Sequence, residues 1–465
     1  MDDLFPQRRQ LVLPDLRIRG DESQGFNFRI RFIEALGKVD FPPGQAEGAP
    51  PFRCEDERPD FRRGFVPVAE DEPLSLLDPP GIFGEMMDLT VLRSEAIRRK
   101  FRFYEEFWMG EGPFPILFTE PHLAKGKPYI RHDLAEQHRD PEKHLEERLL
   151  EIESHLELID DGIPTLRSDL GTTLLPSGLG LQIEVQPELH PWLAEHLTPE
   201  QYCEINSPVA PQDLQRNEVL FSQEFYNLFA RRKSQGLIPA EISPYVPDTQ
   251  GIFDLSHLII GTDLLYLLSD RGDQVLTIQE RSLELFLAAT RMFKDLLGER
   301  SGSMVHGHGM PIGVWFPDTG ARISEDSATL VSDGMIREFC LPFIERAAKP
   351  FGRLFMHYCG HHPGFLKMLC QMQEISTLNL GNPEMYDLEE LFSLCGRSGT
   401  VYFGHLPLLN GEDGPSYLDR LAELCTRHRT RLLLVSSYHP RGSGEKAALV
   451  KRWHSLTRRI QSACP

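Results

Sequence analysis

The sequence predicts an α/β protein whose main domain, residues 91–465, is a (β/α)8 TIM barrel. Short apolar segments alternate with helical segments over the C-terminal part of the chain, which is the pattern of parallel βα units. The last four units are regular, and this favours a closed barrel over an open doubly wound sheet, the second candidate architecture. No GxGxxG segment follows a predicted strand, so a dinucleotide-binding sheet has no support.

Short apolar runs bounded by turn residues predict six strands. They lie near 179–185, 311–316, 353–357, 375–380, 400–405 and 431–437. Helices are predicted near 275–297, 332–348, 363–373, 387–395, 415–428 and 444–460. The clearest helix spans 140–158, because Asp140 can cap it and Pro141 suits its first position.

Residues 1–90 differ from the rest of the chain. Segment 41–80 is rich in Pro, Gly and charged residues and shows little periodicity, so we predict an irregular extension that packs on the barrel. The first residues contain no apolar stretch and do not form a secretory signal. The composition leaves open whether this extension covers the barrel mouth or contacts a second copy in a homodimer.

The composition narrows the class of protein. The formal net charge is −20, from 69 acidic and 49 basic residues, which argues against broad binding to nucleic acid. The 8 cysteines include no CxxC pair, so reduced thiols in a cytoplasmic protein are the simplest interpretation. Apolar runs such as 264–268 are far shorter than the roughly 20 residues that a membrane helix needs, so we predict a soluble protein without a membrane partner.

In a parallel barrel the active site lies at the carboxyl ends of the strands. The polar residues near these predicted strand ends, with those of the segments upstream, are His308, Asp326, His357, Cys359, Asn379, His405 and His439. Such a concentration of ionisable and metal-binding groups points to one functional rim. The segment His306–Gly309 alternates His with Gly, and the pattern fits acid/base or ligand histidines as well as a flexible loop without a chemical role.

His357 and Cys359 are two residues apart in a predicted strand, so both side chains point to the same face and can bind one ion. Nitrogen and sulfur donors suit zinc. His439, after the last strand, is a candidate third ligand, because the first and last strands meet when a barrel closes. The alternative is that the histidine is held structurally and the cysteine is buried in the core.

Several segments resemble the superfamily of uroporphyrinogen decarboxylases and the related zinc-dependent methyltransferases that serve corrinoid proteins. They run from about Ile163 to Pro440 and are Ser168–Leu170, Asp248–Gly251, Ile323–Ala328, Leu341–Phe343 and His357–Gly360. No single segment is decisive, and the order and spacing of all of them carry the resemblance. It implies a barrel of the uroporphyrinogen decarboxylase type.

The two branches of this superfamily imply different chemistry. Resemblance to the methyltransferases implies zinc at His357 and Cys359, which lowers the pKa of an acceptor thiol, and a corrinoid as partner substrate. The second cysteine of that branch is absent, and Ser436, Ser437 and His439 occupy its region. Resemblance to the decarboxylases implies a metal-free lyase acting on a tetrapyrrole, in which Asp169 contacts the pyrrole nitrogens, although the arginine-rich N-terminal motif of that branch is absent.

We therefore expect a methyltransferase that uses zinc and a corrinoid or a small methyl donor. The expected catalytic residues are Asp169, Asp326, His308 and His439, the substrate-binding residues Gln250, Asn379 and His405, and the metal ligands His357, Cys359 and His439. The alternatives are decarboxylation of a porphyrinogen-like substrate and a non-catalytic barrel that binds a small ligand or a corrinoid protein.

Overall fold

The computed structural model describes residues 90–119 and 131–462. Its strands, labelled β1 to β12 in chain order, are Ile116–Leu117, Ile163–Leu166, Ile183–Glu184, Trp192–Leu193, Ser243–Pro244, Met304–His306, Ile312–Phe316, Ala321–Ser324, Leu354–Tyr358, Ile375–Leu380, Val401–His405 and Leu432–Val435. The predicted N-terminal extension, apart from residue 90, lies outside the described residues and stays a prediction.

The main sheet has six parallel strands in the order β1-β12-β11-β10-β9-β8. Its register sets Ser324 of β8 beside His357 of β9, and His357 beside Asn379 of β10. The strands β9 to β12 follow the predicted segments closely, so the parallel α/β architecture is confirmed. Because all six strands run in the same direction, the loops after their carboxyl ends lie along one edge of the sheet.

A second sheet has the order β5-β2-β7-β6. Strand β2 runs parallel to β5 and antiparallel to β7, which forms a hairpin with β6. Within the described residues, strand pairing leaves β1 and β8 at the edges of the main sheet, so a ring of eight hydrogen-bonded strands is not observed. The structure therefore supports a mixed α/β fold with a parallel sheet, and the closed barrel that was predicted is not seen among the described residues.

Two predicted strands require correction. The segment predicted at 311–316 is a strand, but it is the antiparallel β7 and not a member of a βα unit. The turn before it explains why: Met310 N donates to Gly307 O over 2.9 Å, and His308 and Gly309 have φ values of 50° and 81°. Two successive positive φ values form the type of turn that joins antiparallel strands.

The other correction concerns the segment 179–185. Only Ile183–Glu184 is a strand there, and it pairs antiparallel with Trp192–Leu193 in a small separate hairpin. Upstream of it lies the short helix Leu174–Gly178, which is followed by Gly180 with a φ of 104°. Over so few residues a leucine-rich sequence is compatible with a helix or with a strand, so the apolar pattern alone does not distinguish the two.

The helices surround the two sheets. The longer ones are Thr90–Met109, Pro141–Ile152, Asn217–Ser234, Ile252–Ile260, Asp263–Asp270, Gly272–Leu297, Leu341–Ala348, Pro363–Leu369, Leu388–Ser398, Gly414–His428 and Ser443–Ser462. Asp140 caps the helix that starts at Pro141, as predicted, by accepting a hydrogen bond from Glu142 N. In the part of the chain that the structure describes, no single helix is long and apolar enough to cross a membrane. The helices Ile252–Ile260 and Asp263–Asp270 reach the required length and hydropathy only when they are taken together, and the angle between them is 111°.

Two buried carboxylates hold β1 and the start of β2 together. Asp161 accepts a hydrogen bond from Ile116 N over 2.9 Å, and Asp160 accepts one from Phe118 N over 3.0 Å. Asp160 also lies 3.4 Å from the ammonium group of Lys446 and 3.9 Å from that of Lys100. These buried carboxylates satisfy backbone donors that a neighbouring strand would otherwise satisfy, and they fix the start of β2 against β1.

Glu218 makes the stability of the folded protein depend on pH. Its buried carboxylate accepts hydrogen bonds from Thr173 and Ser177, and burial raises its pKa from 4.5 to about 7. The folded state therefore holds this proton at pH values where the unfolded state has lost it, so its ionisation lowers stability as the pH rises from 4.5 through 7. Glu218→Gln mimics the protonated group and is expected to raise the free energy of unfolding by about 2–3 kcal/mol at pH 8.

Urea denaturation at pH 8 and at pH 4 measures this effect, which should vanish at pH 4 because both states are then protonated. Glu224→Gln, an exposed glutamate on the same helix, is the control and should change little at either pH. A loss of stability for Glu218→Gln at pH 8 would show that the ionised carboxylate contributes favourably to the folded state.

Candidate metal centre

Three ligand-bearing side chains converge after β8 and at the end of β9. They are Asp326, His357 and Cys359, and their ligand atoms all lie within 4.8 Å of one another. The distance from Cys359 Sγ to His357 Nε2 is 3.4 Å, and that from His357 Nε2 to Asp326 Oδ1 is 3.7 Å. The convergence follows from the topology, because β8 and β9 are adjacent parallel strands.

The imidazole of His357 is oriented for metal binding. Its Nδ1 lies 2.5 Å from Asn379 Oδ1, and Asn379 Nδ2 donates to Phe403 O over 2.7 Å. Because that second bond fixes the amide orientation, Asn379 Oδ1 is the acceptor and Nδ1 of His357 carries the proton. The lone pair of Nε2 then faces Cys359 and Asp326. Burial lowers the pKa of His357 to about 4, so the ring is neutral near pH 7.

Two glycines allow this close packing. A Cβ on Gly381 would lie 2.5 Å from Cys359 Sγ, and a Cβ on Gly404 would lie 2.7 Å from Asn379 Nδ2. Gly404 also has a φ of 149°. A side chain at either position would push the thiol or the amide out of place, so both glycines are expected to be required for the centre.

Asp326 is held by the backbone of its own loop and by a buried acid. Its Oδ1 accepts a hydrogen bond from Cys359 N over 2.7 Å. Asp254 accepts bonds from the backbone N–H groups of Asp326 and Ser327, and burial together with the nearby Asp326 carboxylate raises the pKa of Asp254 to about 7. Glu325 accepts bonds from three N–H groups at the start of the helix Ile252–Ile260. The loop after β8 is therefore fixed before any ion binds.

The donor set and its spacing fit zinc. Zn–N bonds of about 2.0–2.1 Å and Zn–S bonds of about 2.3 Å at tetrahedral angles place neighbouring donors about 3.3–3.8 Å apart. The Sγ–Nε2 and Nε2–Oδ1 separations of 3.4 Å and 3.7 Å fall in that range, and the third separation, between Cys359 Sγ and the Asp326 carboxylate, is within 4.8 Å. One nitrogen, one sulfur and one oxygen donor leave a fourth position open, as in catalytic rather than structural zinc sites. The three residues can therefore hold a zinc ion with one position left for a further ligand.

The structure places the other predicted site residues at differing distances from this centre. His308 is adjacent, with its ring centroid 4.4 Å from that of His357, and its buried Nδ1 has no hydrogen-bond partner among the described residues. Asn379, predicted to bind substrate, contacts Nδ1 of His357, and its role in substrate binding stays a prediction. His439 is exposed and does not belong to the converging group, which takes Asp326 as third member. A role for His439 as metal ligand or catalyst stays a prediction.

Three further residues were predicted to act here. Gln250 donates to Asp248 over 2.7 Å, and its φ is 57°. The pKa of His405 is lowered to about 4 by burial and by the proximity of His439. Asp169 is paired with Arg167 over 2.9 Å. Burial alone would raise the pKa of Asp169, but Arg167 holds it below its usual range. The Asp169 carboxylate is therefore already engaged in an ion pair within the protein.

The sequence pattern gave no indication of Arg167, Arg322 and Asp248, which form ion pairs near His308. Arg167 lies 3.6 Å from Asp248, and Arg322 donates to the same carboxylate. Strand Ala321–Ser324 was not predicted, so Arg322 had no assigned face. The available signal was the spacing of Arg322, Ser324 and Asp326, because residues two apart in a strand share a face.

Asn379→Leu is expected to weaken zinc binding about 10–100-fold, because the imidazole loses the acceptor that fixes its orientation and tautomer. Chelator competition on the full chain measures the dissociation constant. Asn379→Asp retains an acceptor for Nδ1–H and should restore tight binding. Equal affinity for the leucine variant and the unchanged protein would show that Asn379 only fills space.

Comparisons with known proteins give limited information. No protein-family model matches the chain, and no curated protein sequence matches it. Among solved structures, the fold is similar to that of a methyltransferase from Methanosarcina mazei, with a TM-score of 0.49 and 14% sequence identity. The alignment covers 70% of this chain and 89% of that chain. A similarity at this level assigns neither a family nor a function to the chain.

Proposed function

We propose that the protein is a zinc-dependent methyltransferase that activates a thiol acceptor. The observation that carries this proposal is the convergence of Asp326, His357 and Cys359. Three such ligands would leave one position of a tetrahedral zinc ion for substrate. The methyl group is proposed to come from a corrinoid, presented by a partner protein, or from a small methyl donor, as the resemblance of the His357–Gly360 segment implies.

The charges of the ligands support a thiolate acceptor over an activated water. Asp326 and Cys359 contribute one negative charge each as ligands, whereas His357 is neutral. They balance the charge of a Zn²⁺ ion, so an added thiolate keeps its electron density and stays nucleophilic. When bound, zinc supplies Lewis-acid stabilisation of the thiolate at neutral pH. A site of three neutral ligands would instead favour the acidification of water.

The residues of the chain have distinct tasks in this proposal. Asn379 holds His357, and Cys359 N holds Asp326, so the ligands do not rearrange during the reaction. His308 presents an unpartnered ring nitrogen beside His357 and can orient the acceptor by a hydrogen bond. The thiol proton is released to solvent on binding. The sulfur then forms a bond to the methyl carbon, and the electron pair of the broken bond remains on the methyl donor.

Metal analysis and a transfer assay test the proposal. The full chain, purified without chelators, should contain about one zinc per chain, as a single site requires. The zinc-loaded protein should accelerate methyl transfer from methylcobalamin to a small thiol, and removal of the metal should abolish that acceleration. Protein without zinc that also fails to bind added zinc would overturn the proposal, as would transfer at the same rate with and without metal.

A further inference from the structure

Two buried acids on different segments of the chain exchange hydrogen bonds next to the metal centre. Glu325 directly precedes Asp326 in the loop after β8, and Asp254 lies in the first turn of the helix Ile252–Ile260. The two residues are 0% and 3% exposed. Each acid accepts hydrogen bonds from the backbone of the other segment, so the pair joins the loop to the helix in both directions.

Glu325 binds the start of the helix. Its Oε1 accepts hydrogen bonds from Ile252 N over 2.8 Å and from Phe253 N over 3.3 Å, and its Oε2 accepts one from Asp254 N over 3.0 Å. The first N–H groups of a helix have no acceptor within the helix, and Glu325 supplies one to three of them. Both carboxyl oxygens are used, whereas an amide side chain has a single acceptor oxygen.

Asp254 binds the loop in return. Its Oδ2 accepts a hydrogen bond from Asp326 N over 2.9 Å, and its Oδ1 accepts one from Ser327 N over 2.7 Å. The Asp326 carboxylate in turn accepts one from Cys359 N over 2.7 Å. A continuous path of hydrogen bonds therefore leads from the start of the helix to the carboxylate that faces the other two metal ligands.

Gly251 permits the close approach of the two segments. A Cβ at this position would lie 2.3 Å from Ser324 O and 2.5 Å from Glu325 Cδ. The φ of Gly251 is −114°, which any residue adopts, so space and not backbone conformation requires glycine here. A side chain at position 251 would separate the loop from the helix without removing a hydrogen-bonding group.

The arrangement is costly, which is informative. Burial raises the pKa of Glu325 well above its usual range, and the nearby Asp254 carboxyl adds to this rise. Two acids side by side in the interior are unfavourable, even when backbone donors bind them. Apolar side chains of similar volume join two segments at a lower cost. The pair therefore indicates that the exact place of the loop matters for function.

We propose that Asp254 and Glu325 are positioning residues for the metal centre. By clamping the loop after β8 to the helix, they hold Asp326 at ligand distance from the other two donors. The part of this inference in which Asp326 binds zinc rests on the proposed function. The part in which the clamp holds Asp326 against the Cys359 backbone needs no metal, and it is tested separately.

Hydrogen exchange of the metal-free full chain, measured by mass spectrometry, tests the clamp. Asp254→Asn replaces one acceptor oxygen by a donor, so the amides of Asp326 and Ser327 should exchange faster. The decisive signal is the amide of Cys359, because it is bonded to Asp326 and not to Asp254. It should exchange at least about tenfold faster in the variant, since a charge-assisted hydrogen bond is lost. Unchanged exchange at Cys359 would overturn the clamp.

Cobalt(II) in place of zinc reports the position of Asp326 in the metal-loaded protein. The thiolate-to-cobalt charge-transfer band monitors Cys359, and the d–d bands monitor the whole ligand geometry. In Asp254→Asn, Glu325→Gln and Gly251→Ala the charge-transfer band should persist while the d–d bands shift. Zinc affinity should fall about 10–100-fold. A merely structural role would lower the fraction of folded protein and leave the spectrum of the folded protein unchanged.

Matched controls keep the spectra interpretable. Gly334→Ala is the control for Gly251→Ala, because the nearest atom to a Cβ at position 334 would be Ser332 Oγ, at 3.8 Å. Glu218→Gln is the control for the change of a buried acid. Both should show the spectrum of the unchanged protein.

The outcomes separate the clamp from the proposed function. If Gly251→Ala does not fold, the two acid variants decide. Unchanged d–d bands and unchanged zinc affinity in both acid variants would overturn the positioning role. A chain that binds neither cobalt nor zinc would reject the proposed function, and the exchange rate of the Cys359 amide would still support or overturn the clamp.

Discussion

Cys359→Ser is expected to lose its zinc. A serine hydroxyl is a much weaker ligand than a thiolate, and only the nitrogen of His357 and the oxygen of Asp326 would remain. Because the loss of an outer hydrogen bond already weakens metal binding about 10–100-fold, the loss of a direct ligand should weaken it more than 100-fold. Elemental analysis of the purified variant should therefore give a zinc content near background.

Cys203→Ser is the matched control, because Cys203, like Cys359, is partly buried and outside any disulfide, and it lies in the helix Pro199–Cys203. Its zinc content should equal that of the unchanged protein. A serine variant at position 359 that retains full zinc would exclude this cysteine as a ligand and leave the metal centre without its sulfur donor. Circular dichroism of both variants verifies that neither substitution unfolds the chain.

The candidate metal centre could be predicted in part from the sequence. The i, i+2 spacing of His357 and Cys359 is a local property. In the structure His357 lies in β9 and Cys359 directly follows that strand, with its Sγ 3.4 Å from His357 Nε2. The predicted third ligand depended on which strands are neighbours. The strand before His439, β12, is separated from β9 by β10 and β11, whereas β8 is adjacent to β9. Asp326 follows β8 and therefore reaches the centre, although it was predicted to line the same cavity and not to bind metal.

The fold was predictable where the strands are long and apolar. Strands β9 to β12 contain four to six residues, all buried except the partly buried His405 at the end of β11, and apolar runs in the sequence reveal such strands. Strands β1 and β5 have two residues each, too few for any periodicity. Pro164 and Pro244 lie within β2 and β5 and lack the backbone donor of a regular strand, so composition argues against strands at both positions.

The ion pairs of Arg167 and Arg322 with Asp248 were not predictable from the local sequence pattern. Arg167 and Asp248 follow β2 and β5, Arg322 lies within β8, and all three are far apart in the chain. A lone charged residue in a segment of mixed composition is most often solvent-exposed. Only the packing of β2, β5 and β8 around a common interior brings these charges together, and that is a property of the whole fold.

Asp160→Ala is expected to lower the free energy of unfolding by about 3–5 kcal/mol. The substitution leaves the ammonium groups of Lys100 and Lys446, whose side chains are 10% and 6% exposed, without their carboxylate partner. It also leaves Phe118 N and Gly162 N without an acceptor. Urea denaturation at pH 7 measures the loss as a shift of the midpoint. Asp419→Ala, which breaks an exposed pair with Arg452, is the control and should lose less than about 1 kcal/mol.

A double substitution identifies the cause of this loss. Lys100 keeps hydrogen bonds to the carbonyls of Asp160 and Gly162. Lys446 lies nearer to the Asp160 carboxylate, at 3.4 Å against 3.9 Å for Lys100, so Lys446 is the cation to replace. If an uncompensated buried cation dominates, Asp160→Ala combined with Lys446→Met should recover part of the lost stability. If the unsatisfied N–H groups between β1 and β2 dominate, the double variant should be no more stable than Asp160→Ala alone. In both cases the Asp160 carboxylate stabilises the junction between β1 and β2. If Asp160→Ala alone is as stable as the unchanged protein, Asp160 does not have this role.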